Sequence, residues 1–508
     1  MTVAMTDDTD TQLKSTLAKL DVPPDFAEYE RTTEADVVVR LEEWRRAAYA
    51  VLCDLRTRLA AIARQEQQPE LPLETRARVV YIAAQFDGDG AWVLDTTKDV
   101  AREILAPYDT PSSEPDLALL THLLTHHIKP VFHSNPHPAV HLSTGRRLAR
   151  PAGGRAGVLD YYEAQAWKRR PGAPNVLAWC VRHIEGTMYE RVWHLVIPPM
   201  MTLLDDYEVP YKTLGVRIVS EMLDRVPPEL LRRTGMDGLI LASLHKCFPN
   251  LRDPGTPALL RLAVPTCVQF IEATTPPGSK QRFDQLCAVF GDGVIGAVWF
   301  YSGSERAALE ASLDTLPVIV DALGVGVARY LKAIIPQLTY PLLTAPAHTT
   351  PLSTQLASAR ALRAVLAACA PRAHRWRGDV LDAVCRCWVA LGAPGAEDKK
   401  GGGGRCEEGD EGEHREGGED CGTRSPMSRA VETDGPLTRG FGVGSDAAAE
   451  NEEEKERREL REALQDVCAD LARMCPSVVQ NEYARLQRAS PHPFSALVAP
   501  RGNEGADR

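Results

Sequence analysis

Val192-Trp193-His194-Leu195-Val196-Ile197-Pro198-Pro199-Met200-Met201-Thr202-Leu203-Leu204-Asp205-Asp206 contains the most apolar run of the chain. It is too short, and too interrupted by His194 and the proline pair, to span a bilayer. A second amphipathic segment follows from Lys212 to Val226, where Val216, Val219, Leu223 and Val226 recur at helical spacing. Residues 192–226 therefore read as two antiparallel helices. Pro198 removes one i to i−4 hydrogen bond and is expected to bend the first of them. One carboxylate of Asp205-Asp206 is expected to accept backbone N–H groups where the second begins.

The same grammar extends in both directions. Leu41, Trp44, Ala48, Val51, Leu55 and Leu59 form one core-facing stripe. Leu309, Leu313, Leu316, Val320 and Leu323 form another, and Val327, Leu331, Ile334, Leu338 and Leu342 a third. Breaks fall at Pro227-Pro228, Pro276-Pro277-Gly278 and Gly324-Val325-Gly326. No sizeable stretch alternates as a strand does, so the fold class is all-α. A first helix bent by proline, an aspartate at the turn and a basic residue early in the second helix describe a HEAT-repeat-like α-solenoid, an α-α superhelix of the armadillo-like kind. Pro336 recurs in a context like that of Pro198, about 46 residues per helix pair over three pairs, within the range of such repeats.

The organisation expected from this pass is as follows. Residues 1–33 are poorly ordered, 34–128 form an N-terminal helical region, and 129–174 a long ordered loop rich in Pro, Gly and His. Residues 175–392 are helical repeats, 393–450 a disordered acidic Gly-rich insertion, 451–490 a C-terminal helix and 491–508 a tail. Residues 397–420 carry ten acidic and four basic side chains, more than half of the formal net charge of −11. Such a composition cannot bury enough apolar area to offset chain entropy. What remains is close to charge balance and carries no global basic field for nucleic acid. Lys168-Arg169-Arg170 is the best local basic patch and reads as an exposed loop. Twelve cysteines without a spacing framework, mostly in apolar stretches, fit a reducing compartment. The N-terminus lacks the basic and apolar regions of a signal peptide.

Candidate chemistry is sparse. Six of the thirteen histidines fall between His122 and His141, and His122 and His126 are spaced i, i+4, which can chelate a metal. No carboxylate or cysteine completes the set, so these read as solvated or helix-end histidines. Cys385-Arg386-Cys387 lacks a second pair and reads as core packing. Cys406, His414 and Cys421 lie in the acidic insertion, where no core would support a site. Gly291-Asp292-Gly293-Val294-Ile295-Gly296 matches the dinucleotide pattern literally, but that mechanism requires a preceding strand, and Phe283–Phe290 is an amphipathic helix. No catalytic, cofactor or metal residues are assigned, and the chain reads as a binding protein rather than an enzyme.

Several stretches between Lys129 and Gly238 carry a family resemblance. They are Gly145-Arg146-Arg147-Leu148-Ala149-Arg150-Pro151-Ala152-Gly153-Gly154, Asp160-Tyr161-Tyr162-Glu163-Ala164-Gln165-Ala166-Trp167-Lys168, Trp179-Cys180-Val181 and Trp193-His194-Leu195-Val196-Ile197-Pro198-Pro199. Leu203-Leu204-Asp205-Asp206-Tyr207 with Lys212 and Gly215, and Leu230-Leu231-Arg232-Arg233-Thr234-Gly235, complete them. This pattern resembles the Tel-two-interacting protein two family, and has the character of a fungal member. The likeness continues through Tyr330–Leu338 and covers roughly residues 120–392. It implies a non-enzymatic α-solenoid subunit of the Triple T (TTT) complex without cofactors. It implies direct binding to the first Tel-two-interacting protein. Contact with Tel-two, the Hsp-ninety co-chaperone machinery and PIKK-family kinases of DNA-damage and TOR signalling would come through the complex, in cytoplasm and nucleus. Pro151, Gly153, Gly154, Trp193, Pro198, Pro199, Asp205, Asp206, Lys212 and Gly215 are then structural motif residues. The alternative is another HEAT-repeat binding protein, such as an importin-like adaptor or a phosphatase scaffold.

Overall fold

The computed structural model describes residues 12–64, 71–109, 114–134, 136–154, 161, 165–302, 305–343, 350–392 and 444–499. Among these residues the chain is all-α, with one isolated antiparallel bridge, Val140 to Arg147, and no strand. It divides into two compact units, Met1–Tyr330 and Leu331–Arg508. That division falls inside the 175–392 repeat region read from the sequence. It follows the turn at Gly324, whose φ of +53° favours glycine.

Unit 1 begins earlier than expected. Residues 12–33, read as poorly ordered, contain a helical turn at 12–18 and a 3-10 helix, Pro24–Arg31. Leu13, Leu17, Leu20, Val22 and Phe26 are buried, and Arg78 holds Asp21 through two hydrogen bonds of 2.7 and 2.8 Å. A short apolar stripe diluted by Thr, Lys and Asp is easily missed when only its tertiary partners make it stable. Four helices follow: α1 Ala35–Ala63, α2 Leu73–Ala84, α3 Asp95–Leu105 and α4 Glu114–Leu123, the last running into a π turn, Leu124–Ile128. After the loop come α5 Ala173–His183, α6 Tyr189–Leu204, α7 Val209–Leu223, α8 Pro228–Thr234, α9 Met236–His245, α10 Thr256–Thr274, α11 Lys280–Ala288 and α12 Arg306–Leu323.

The helices stack in succession: α7 packs on both α6 and α10, and α10 packs in turn on α12. The faces are those the periodicity marks. Val216, Val219, Leu223 and Val226 are all buried, as are Leu313, Leu316, Val320 and Leu323. Helix α6 continues through Pro198 and Pro199 without a break, and Thr202 Oγ1 donates to the Pro198 carbonyl at 3.0 Å. Interior prolines also stand in α10 (Pro265) and α12 (Pro317), so proline does not mark one helix class of the stack.

The glycine-rich match at Gly291–Gly296 lies within a π-helical segment, Val289–Trp299, continuous with α11. A Cβ added at Gly293 would sit 3.1 Å from the Phe248 ring, and one at Gly291 3.0 Å from the Tyr330 hydroxyl. These glycines admit neighbours to a close contact, which is a packing role.

Unit 2 holds α13 Leu331–Thr339, α14 Leu352–Ala368, α15 Arg377–Ala390, α16 Gly444–Met474, α17 Ala484–Ala489 and α18 Pro491–Leu497. Helix α16 packs on α14, where Arg363 reaches Asp466 at 2.7 Å and Asp470 at 3.0 Å. The helix expected over 451–490 therefore starts earlier, ends at Met474, and is followed by shorter pieces, the last of which, Pro491–Leu497, lies in the stretch read as a tail; residues 500–508 lie outside the described residues. Of the acidic insertion, residues 393–443 lie outside the described residues. Cys387 is buried on α15 as core packing requires.

Candidate functional site

The turn between α6 and α7 gathers most of the motif residues. It opens with Asp205 and Asp206, both buried (6% and 0% exposed). Two adjacent buried carboxylates are costly unless hydrogen-bonded, and the structure supplies donors from four places in the chain. Asp206 Oδ1 accepts the backbone N–H of Glu208, the residue preceding α7, at 2.8 Å, a turn bond rather than a bond to the helix's own N–H groups. Its carboxylate also accepts Gln165 Nε2 at 2.7 Å and Lys168 Nζ at 3.2 Å. Asp205 Oδ2 pairs with His137 Nε2 at 3.0 Å and accepts Lys246 Nζ at 2.9 Å. The Ala139 N–H donates to His137 Nδ1 at 3.3 Å, which leaves the ring proton on Nε2, facing Asp205.

The two acids differ in their balance. Burial raises the Asp206 carboxyl above its ordinary value, and the nearby Lys168 ammonium only partly opposes this. At Asp205 burial pushes the same way, but the hydrogen bond from His137 and the charge of Lys246 outweigh it and hold the group well below the usual carboxylate range. Lys168, read from sequence as part of an exposed loop, is in fact half-buried. Its ammonium bonds Glu208 Oε1 at 2.7 Å and lies 4.4 Å from the Tyr207 ring centre and 4.7 Å from that of Tyr211.

Around this hub the remaining motif residues hold backbone to backbone. Lys212, buried early in α7, donates from Nζ to the Leu204 carbonyl at 3.2 Å and so closes the C-terminus of α6. A Cβ on Gly215 would lie 2.5 Å from Leu204 N and 2.6 Å from Leu204 Cα, so only glycine allows the α6 and α7 backbones to cross this closely. Trp193 donates from Nε1 to the Gly145 carbonyl at 3.0 Å, and Gly145, with φ +62°, makes the turn that presents it. Arg147 N–H bonds the Thr234 carbonyl at 3.0 Å. Residues 136–154 are thereby bound to the helix stack at several points. Pro151, Gly153 and Gly154 stand apart from the hub, exposed at the far end of this loop, with both glycines at positive φ.

The arrangement positions backbone and offers no chemistry. Both ring nitrogens of His137 are engaged within the chain. The ten described cysteines are free thiols, and burial pushes Cys247 and Cys387 each up to about 12. The His122 and His126 rings lie tilted with centres 4.4 Å apart, and His127 stacks on Tyr81 at 4.6 Å. Among the described residues no group of three or more His, Cys, Asp or Glu is placed to hold a metal ion, and no helix is long and apolar enough to cross a membrane. Sequence reading singled out Asp205, Asp206, Lys212 and Gly215 but missed their partners. His137 looked solvent-bound between prolines, and nothing near Gln165 or Lys246 announces a long-range bond.

Comparison with known proteins agrees with the resemblance carried by these residues. TELO2-interacting protein 2 from Rattus norvegicus is 23% identical over 184 residues, which is 35% of this chain. The match spans 35% of the rat protein's length as well. No solved structure matches the chain. A model of the Tti2 family matches residues 79–350, more than half of the chain and all of the hub, and the chain thus belongs to the Tti2 family, a family of scaffold proteins rather than enzymes.

Proposed function

We propose that this chain is a non-enzymatic scaffold subunit of the TTT complex, in which it binds the first Tel-two-interacting protein directly and Tel-two through the assembly. In this reading the complex works with the Hsp-ninety machinery, in cytoplasm and nucleus, to mature and stabilise PIKK-family kinases of DNA-damage and TOR signalling. The observation that carries it is the family match over residues 79–350, which takes in the Asp205–Asp206 hub and the stack from α6 to α12. A stack of helices of this kind acts by presenting surface. Trp193, Pro198, Pro199, Asp205, Asp206, Lys212 and Gly215 are then positioning residues that set the stack, while exposed Pro151, Gly153 and Gly154 lie where a partner can reach them.

Depletion of the protein in cells tests the reading. The steady-state levels of its co-subunits and of several PIKK-family kinases should fall while their messenger RNAs stay constant. Normal kinase abundance after complete depletion would overturn it.

A further inference from the structure

Unit 1 contains a cavity of about 340 Å³ beside the hub. Its lining joins the stiff apolar side chains of Trp92, Pro174, Pro210 and Tyr211 to residues 26–31 of the N-terminal segment. The charges at its mouth are unequally paired. Arg31 is paired with Glu208 at 2.9 Å and Arg217 with Asp89 at 2.7 Å. Glu28 and Glu30 are exposed at the same mouth, and no ion pair to either is found among the described residues. Glu208 also holds Lys168 at 2.7 Å and Asp89 holds Lys98 at 3.2 Å, so the charge left unpaired at the entrance is that of Glu28 and Glu30, above aromatic and proline side chains.

We propose that this cavity receives an extended segment of a partner protein that inserts one arginine or lysine flanked by prolines or other apolar residues. This rests on the scaffold reading and names the kind of segment the scaffold takes. Aromatic-lined grooves accept extended, proline-rich chains because these lose little conformational freedom on docking. A long cationic side chain lays its methylene stem on apolar walls and turns its head to the carboxylates outside. The volume holds about two or three side chains and lies at the small end of ligand cavities. A helix, about 10 Å across, needs more room. Arg31 on Glu208 already shows a guanidinium seated at this rim.

The test uses the full chain and fluorescence polarisation with three pools of labelled nonapeptides, varied over Pro, Leu, Val and Ala and centred on Arg, Lys or Glu. The Arg and Lys pools should bind about ten-fold more tightly than the Glu pool. Two variants at exposed positions should each weaken that binding about ten-fold with the melting temperature unchanged: Glu28→Lys with Glu30→Lys, which reverses the rim, and Ala258→Trp, which fills the cavity from α10. Equal binding of the three pools, or binding unaffected by both variants, would overturn the proposal. Co-purification with the first Tel-two-interacting protein is measured in parallel. If it persists while the peptides fail, the cavity proposal alone is lost; if it fails, the scaffold reading is lost.

Discussion

The corner between α6 and α7 and the contact between α10 and α12 lie in the same unit and are built by opposite means. At the corner, buried carboxylates, a buried lysine and a glycine fix one geometry, and the bonds reach out to residues 137, 165, 168 and 246. Between α10 and α12 the buried side chains are mostly Leu, Val, Ile and Ala, and no charged residue is buried on either helix. The few hydroxyls there bond locally, as Thr266 does to the Leu262 carbonyl and Ser312 to that of Leu309. Its ion pair, Arg261 to Asp314 at 2.9 Å, is exposed and worth little. An apolar contact of that kind fixes proximity and tolerates change in shape. The polar corner fixes register and tolerates almost none.

The sharpest way to break this contrast is Asp206→Ala. It strands Gln165 and the Glu208 N–H and leaves Lys168 with Glu208 alone, and should cost about 3 kcal/mol in chemical denaturation. A loss below about 1 kcal/mol would mean that water replaces the carboxylate and that the corner is no more specific than the stack. Asp205→Ala should cost less, because Lys246 is largely exposed and can turn to solvent.

Gly215→Ala probes the same corner without touching a charge. Alanine is the better helix former by about 1 kcal/mol, so an exposed site would gain stability. Here the new methyl meets the Leu204 backbone, which cannot rotate away, and a net loss of about 2 kcal/mol is expected. Gly378→Ala, in α15 with open space around it, is the control and should stabilise. If both substitutions stabilise, the α6–α7 crossing is looser than described.

The contrast also explains what was readable. The stripes of α7 and α12 were legible because periodic burial is written in local spacing, and Leu316 or Val219 needs no distant partner to be recognised as core. The hub was half legible. Asp205 and Asp206 stood out as a helix-end pair, but His137 is 68 residues away and Lys246 41, and no periodicity links residues so far apart. The stripe from Val327 to Leu342 suggested one helix. The structure instead divides it into 3-10, α and 3-10 pieces, because Gly324 starts a tight turn and Pro341 sits at the other end.

Histidine protonation reports burial. Burial lowers His127 on Tyr81 to about 4, with the nearby Arg78 adding to the effect. A base whose folded value is lowered lets the unfolded chain take the proton first. Its stabilisation is therefore full above about pH 6.5 and is lost as pH falls toward 4. Burial lowers His122, His194 and His245 in the same sense. His127→Phe keeps the stacking and should flatten the stability profile between pH 6.5 and 4 by on the order of 1 kcal/mol, allowing for partial exposure. An unchanged profile would place the proton uptake on other groups.

The smallest effect expected is that of a volume-conserving change at the apolar contact, and it bears most directly on the comparison. Leu316 is fully buried on α12. Leu316→Met conserves volume and adds a flexible, polarisable end, so the cost should stay below about 1 kcal/mol in the same denaturation assay. Leu316→Ala removes that volume and should cost about 3 kcal/mol through the cavity it leaves. The pair of values matters more than either alone. A small Met cost beside a large Ala cost says that the contact requires filling and not shape. A Met cost as large as that of Gly215→Ala would instead mean that the α10–α12 contact is as shape-specific as the polar corner, and that buried charge is not what makes the corner intolerant.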